Sequence, residues 1–110
     1  MAKQAETVFK EKVQRKLKTV PNLWFSKIQQ VAIRGTPDIL ICYCGRFFAW
    51  ELKAGKGKAS GLQEFNLARI SEASGVARVV TPENFDECWS ELMQERTKHN
   101  VRKDGQHDHP

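Results

Sequence analysis

The sequence predicts an α/β fold: a mixed β-sheet flanked by helices, with elements in the order αβββαβα. Three observations carry this. Apolar residues recur at helical spacing near both ends of the chain and at strand-like spacing between them. A helical segment separates the third strand from the fourth, which makes those two strands parallel neighbours through a right-handed crossover. The 110 residues, 40% of them hydrophobic, suffice for one core and one domain.

Phe9, Val13, Leu17 and Val20 form one stripe of an amphipathic helix over residues 5–20, which Pro21 ends. Leu23 to Ile28 reads as a short strand, and 29–35 as a connection of no assigned conformation. Asp38 to Tyr43 is an apolar run bounded by Thr36-Pro37 and Gly45, expected to be a strand buried on both faces and followed by a turn at Gly45-Arg46. Phe47 to Lys53 is its hairpin partner, with Phe48, Trp50 and Leu52 on one side and Phe47, Ala49, Glu51 and Lys53 on the other. Ala54 to Ala59 is a flexible basic loop, after which Ser60 opens a helix that runs to Ser74 with Gly75 as its stop. Val76 to Val80 is a β-branched strand. Thr81 then caps a last helix with Pro82 at its first position and Phe85, Cys88, Trp89, Leu92 and Met93 on one face. Residues 96–110 are polar and predict a disordered tail, so the domain is placed at 1–95.

Composition narrows the function classes. The formal charge of +5 favours a polyanionic partner, because affinity for nucleic acid is largely phosphate neutralisation by Lys and Arg. No apolar run approaches the roughly 20 residues that span a bilayer, and the polar N-terminus has no secretory signal, so a cytoplasmic protein with no membrane partner is expected. Cys42, Cys44 and Cys88 are an odd set with no disulfide framework, expected to be buried reduced thiols with too few neighbours for a zinc site. Trp24, Trp50 and Trp89 each belong to an apolar pattern and are expected in the core or an interface.

The chemistry is sought where carboxylates converge, since hydrolysis of a phosphodiester needs a cation on the phosphate, a positioned water and a stabilised leaving oxygen. Asp38 opens the second strand directly after Pro37, close to Gly35. Glu51 and Lys53 are two apart on the third strand and share a side of the sheet. A hairpin turning at residues 44–46 brings Asp38 and Glu51 within reach of one ion, with the Lys53 ammonium beside them. Glu6 falls on the apolar stripe of the first helix, where a carboxylate needs a cation or Lys53 as partner unless the helix frays and leaves it wet. The bland alternatives are a solvated Glu-x-Lys pair for Glu51 and Lys53 and a turn role for Asp38.

In combination, Gly35-Thr36-Pro37-Asp38, Glu51-Leu52-Lys53 and Gln63 resemble the VRR-NUC branch of the PD-(D/E)xK nuclease superfamily, over residues 1–95 and in element order. The resemblance implies a restriction-endonuclease-like core. It implies that Asp38 and Glu51 bind Mg²⁺ or Mn²⁺ with the backbone carbonyl of Leu52, and that Lys53 assists the attacking water. Glu6 matches a helix-one glutamate used for a second or water-mediated metal contact, and Gln63 the glutamine after the Glu-x-Lys strand. The implied activity is that of a structure-selective DNA endonuclease acting as a homodimer on branched DNA such as four-way junctions. Rival readings are a nicking or degrading subunit of a larger machine and a catalytically idle DNA-binding module. A phage or mobile-element origin suits a nuclease of this kind.

Several residues keep two readings. Ser60 with Gln63 three residues later is also a capping box, so Gln63 serves the site or only the helix. Lys56 and Lys58, with Arg34, are candidate DNA-backbone contacts, or else keep a loop soluble. The glycine-lysine loop lacks the phosphate-loop spacing, so no nucleotide cofactor is expected. His99, His107 and His109 fall in the expected tail, which leaves no histidine to serve as base for a serine or cysteine nucleophile. The Phe47, Phe48 and Trp50 run, or the last helix, is the candidate dimer surface.

Overall fold

A computed structural model of the chain describes residues 4–29 and 34–106, the last four as backbone. It is an α/β fold with the predicted order: α1 (Ala5–Lys18), β1 (Leu23–Lys27), β2 (Ile39–Tyr43), β3 (Arg46–Leu52), α2 (Gly61–Glu72), β4 (Val76–Val80) and α3 (Phe85–Gln106). The four strands form one sheet in the order β1-β2-β3-β4. The first two pairings are antiparallel and β3 pairs with β4 in parallel, as the intervening helix requires.

One face of the sheet carries the core. Ile39, Ile41, Phe48, Trp50, Leu52, Val76 and Val80 are buried there against Phe9, Val13 and Leu17 of α1 and Phe85, Cys88 and Leu92 of α3. Phe85 joins the layers, its ring edge-on to Phe9 at 5.9 Å and to Trp50 at 6.4 Å. Among the described residues, the helix that covers the opposite face is α2, which packs on β3 and β4.

That asymmetry corrects the expectation for β2. The strand is not buried on both faces: Cys42 is exposed and Cys44 only half-buried, so of the three thiols Cys88 alone is buried. Trp24, paired across the ladder with Cys42, is 59% exposed rather than in the core. Phe48 and Trp50 are fully buried and unavailable as a dimer surface, which leaves only Phe47 of that run at the surface.

Local chemistry explains the shifted boundaries. The hairpin turns one residue earlier than predicted, at Cys44-Gly45, both with positive φ, 54° and 78°, and Tyr43 pairs with Arg46. Two left-handed central residues match the right-handed twist of the strands they join. Helix α2 ends with Ser74, not Gly75, in the left-handed position, φ 74°; Ser74 N–H donates to Ser71 O and Gly75 N–H to Ile70 O. Gly75 is required for space instead, because a Cβ there would meet Ile70 Cγ2 at 2.8 Å and Phe47 at 3.1 Å. Thr81 and Asn84 bond reciprocally, backbone N–H to side-chain oxygen, at 2.8 and 3.2 Å. They build a turn ahead of α3, so the helix starts at Phe85 and not at Pro82.

The largest correction lies at the C-terminal end. Residues 96–106 continue α3 where an irregular tail was expected, since Lys, Arg, Gln and Glu are strong helix formers and need no apolar face once a packed helix precedes them. Arg102 also donates back to Cys44 O at 3.5 Å. His99 is therefore part of the fold and lines a surface cavity with Tyr43, Cys44 and Arg96. His107 and His109 lie outside the described residues. No described helix is long and apolar enough to cross a membrane.

Candidate active site

The antiparallel register that pairs Ile39 with Trp50 sets Asp38, one residue before β2, opposite Glu51 near the end of β3. Asp38 is fixed through both oxygens. Its Oδ2 accepts from the Leu52 N–H at 2.7 Å, and its Oδ1 lies 3.3 Å from Lys10 Nζ. Leu52 therefore meets Asp38 through its amide, while the next amide, that of Lys53, donates to Val80 O at 3.0 Å and continues the parallel ladder.

Glu51 is the unusual member. The solvated-pair reading fails because the residue is 1% exposed, sealed between the sheet and the start of α2. Its Oε2 accepts from Gln63 Nε2 at 2.7 Å and lies 3.3 Å from Lys53 Nζ. Its Oε1 is buried with no hydrogen-bond partner. Burial, then the charge of Asp38, push this carboxyl up to about 7, with Lys53 pulling the other way and a hydrogen bond from the protonated acid to Asp38 adding to the rise. A buried acceptor without a donor costs about 1–3 kcal/mol and calls for an explanation.

Gln63 makes the helix cap and also touches the site. Its Oε1 accepts from the Ser60 N–H at 2.8 Å and the Ser60 hydroxyl accepts from the Gln63 N–H at 3.2 Å, a complete capping box. The amide's nitrogen remains for Glu51. One side chain thus starts α2 and holds the carboxylate.

Glu6 is half-buried on α1, and its ion partner is Lys10 at 3.3 Å in place of the expected Lys53. It still borders the same site. A Cβ on Gly57 would fall 3.4 Å from Glu6 Oε1 and 3.6 Å from Lys53 Cδ, so the basic loop closes over both. Lys56 and Lys58 are exposed in that loop. Arg34 is exposed, and its carbonyl accepts from Asn66 Nδ2 at 3.4 Å, which ties the segment before Asp38 to α2.

Lys10 is the residue that sequence reasoning missed. It bridges Glu6 and Asp38 at 3.3 Å each. Burial alone would lower its pKa, but the Asp38 and Glu6 carboxylates outweigh that and hold the ammonium above its ordinary range. The i,i+4 spacing from Glu6 was a readable signal for half of this arrangement. The contact with Asp38, 28 residues away, was not.

As arranged, no group of three or more His, Cys, Asp and Glu side chains among the described residues is set to hold a metal ion. The carboxylates brought opposite each other are Asp38 and Glu51, with the Leu52 amide on Asp38. Mg²⁺ commonly takes one or two carboxylates and keeps several waters, so this set fits such an ion, and the unpartnered Glu51 Oε1 is the oxygen it would satisfy. Comparison with family models, with characterised proteins and with solved structures returns no match to this chain.

Proposed function

We propose that the protein is a Mg²⁺- or Mn²⁺-dependent phosphodiesterase of the restriction-endonuclease-like type, and specifically a structure-selective DNA endonuclease. The single observation that supports it best is Glu51: a fully buried carboxylate with one unpartnered oxygen, opposite Asp38 and beside Lys53. Glu95 on α3 is also buried with one bare oxygen beside Lys98, so what sets Glu51 apart is the second carboxylate, Asp38, opposite it and the Lys53 ammonium beside it. A carboxylate kept partly unsatisfied in a basic protein suits a site that completes its coordination on binding a cation.

When bound, the ion would neutralise the scissile phosphate and make a coordinated water more acidic. The chain's own groups have distinct tasks. Asp38, locked by the Leu52 amide, presents one oxygen in a fixed position. Gln63 holds Glu51 in orientation. Lys53, 17% exposed and anchored on Glu51, has three donors on a mobile stem, enough to orient a water and offset charge on the phosphate while keeping its carboxylate contact. Lys56 and Lys58 offer phosphate contacts that carry no sequence information, which agrees with recognition of DNA shape. Branched DNA as substrate and a homodimer as the working unit follow from the resemblance to VRR-NUC nucleases.

The test is cleavage of four-way junction, flap and linear duplex DNA with Mg²⁺ or with EDTA, by the full chain and by Asp38→Ala and Lys53→Met. Each substitution should lower cleavage at least about a hundredfold while junction binding and the circular dichroism spectrum persist. Undiminished cutting by both variants removes the site, and wild-type binding without any metal-dependent cutting leaves a DNA-binding module.

A further inference from the structure

We infer that Lys10 is a tethered counter-cation of the acidic site: its ammonium holds, between Glu6 and Asp38, the charge position a divalent ion takes on binding, so lysine and metal compete for the same carboxylates. The inference rests on the metal-site reading above and deepens it.

The geometry is specific. Asp38 has one oxygen committed to the Leu52 amide, and Lys10 sits on the other, the oxygen an ion would need. The same ammonium reaches Glu6 Oε2 at the same 3.3 Å, drawing toward α1 a carboxylate whose other oxygen faces the Gly57 and Lys53 side. Two of the three carboxylates thus share a single cation supplied by the chain. Lys10 is 25% exposed, more sheltered than an ordinary surface pair, so the contact is less screened by water.

This also accounts for the missing third ligand. Asp38 and Glu51 already face each other, but Glu6 joins them only if Lys10 yields. With Glu51 ionised, the three carboxylates and the ammoniums of Lys10 and Lys53 leave the site one negative charge; without Lys10 it holds two. Attraction for a divalent ion rises accordingly, and the competing occupant of Asp38 Oδ1 is gone.

Isothermal titration of the full chain with Mn²⁺, in the absence of DNA, tests this in wild type, Lys10→Met and Lys10→Arg. Lys10→Gln serves as a second neutral variant able to donate to Asp38 should the methionine variant fail to fold. The neutral variants should bind Mn²⁺ about tenfold tighter, an effect of one nearby unit charge, and Lys10→Arg should stay within about twofold of wild type. Unchanged or weaker binding by a folded neutral variant would overturn the competition, the latter making Lys10 a group that positions Asp38. Binding by wild type with no gain in the neutral variants sinks this inference alone, whereas no Mn²⁺ binding by any of the four proteins sinks the metal-site reading with it.

Discussion

Replacing Glu51 by Gln should stabilise the metal-free protein at alkaline pH, the reverse of what loss of a structural ion pair does. Glu51 is held at about 7 against an ordinary 4.5. Its folded-state value is raised, so the folded protein prefers the protonated carboxyl. The stability it contributes is present in full below about pH 4.5 and is lost as pH rises through 7. Fully ionised, the buried group costs about 3 kcal/mol. That cost is already net of the attraction of Lys53 at 3.3 Å; Gln removes the cost and still accepts from Gln63, but replaces the protonated acid's hydrogen bond to Asp38 with a weaker amide one. The net gain is therefore about 1–2 kcal/mol at pH 8, or about 5–10 °C in Tm for a domain of this size. Thermal unfolding followed by circular dichroism in EDTA, at pH 5 and pH 8, measures it. Saturating Mg²⁺ should reverse the order, because binding to the folded state alone adds about 2.7 kcal/mol at a hundred times the Kd, and only the wild type retains the ligand. A Glu51→Gln protein less stable than wild type at pH 8, or a difference that is the same at both pH values, refutes the view of Glu51 as a strained, unsatisfied acid.

Two further outcomes test the local structure that positions the site. Ser74→Gly should stabilise the protein by about 1 kcal/mol, read as a shift in urea midpoint, because the left-handed conformation at the end of α2 is strained for any residue with a Cβ. Thiol titration of the native protein should find Cys42 reactive at once and Cys88 reactive only on unfolding, with Cys42→Ser removing the fast phase; protection of Cys42 would mean that the open face of the sheet is covered in solution.

The fold was legible where periodicity and turn chemistry act locally. The stripe Phe9, Val13, Leu17, the alternation in Phe47 to Lys53 and the β-branched run Val76 to Val80 each report a face that is buried. What failed depended on partners distant in sequence. Nothing within Asp38 to Tyr43 says that α2 shields β3 and β4 while leaving Cys42 and Trp24 bare. Polarity in residues 96–106 suggested an irregular tail, yet the same residues are good helix formers extending a helix nucleated by Phe85, Cys88 and Leu92. At the site, Asp38, Glu51 and Lys53 were readable together because a hairpin brings its two open strand ends side by side, while Gln63 entered through the resemblance and its spacing from Ser60. Lys10 was hidden, since its meaning lies in Asp38 and no local pattern joins the first helix to the start of the second strand.

The distribution of hydrogen bonds in this cluster is uneven in a way that bears on its purpose. Asp38 uses one oxygen on a backbone amide and the other on Lys10. Gln63 uses its oxygen on the Ser60 amide and its nitrogen on Glu51. Each of these side chains binds a structural group at one end and a site group at the other, so the start of α2 and the β3 backbone fix the carboxylates directly. Glu51 breaks the pattern: both of its partners converge on Oε2, and Oε1 is left buried and bare. With Glu51 ionised, two donors crowd one oxygen and the other is starved, a penalty that sharing them would remove; Glu95 on α3 shows a bare oxygen too, so what marks Glu51 is its place opposite Asp38 and beside Lys53. The arrangement has a rationale if a further cation completes it, and the starved oxygen, across the ladder from Asp38, is where that cation would be held.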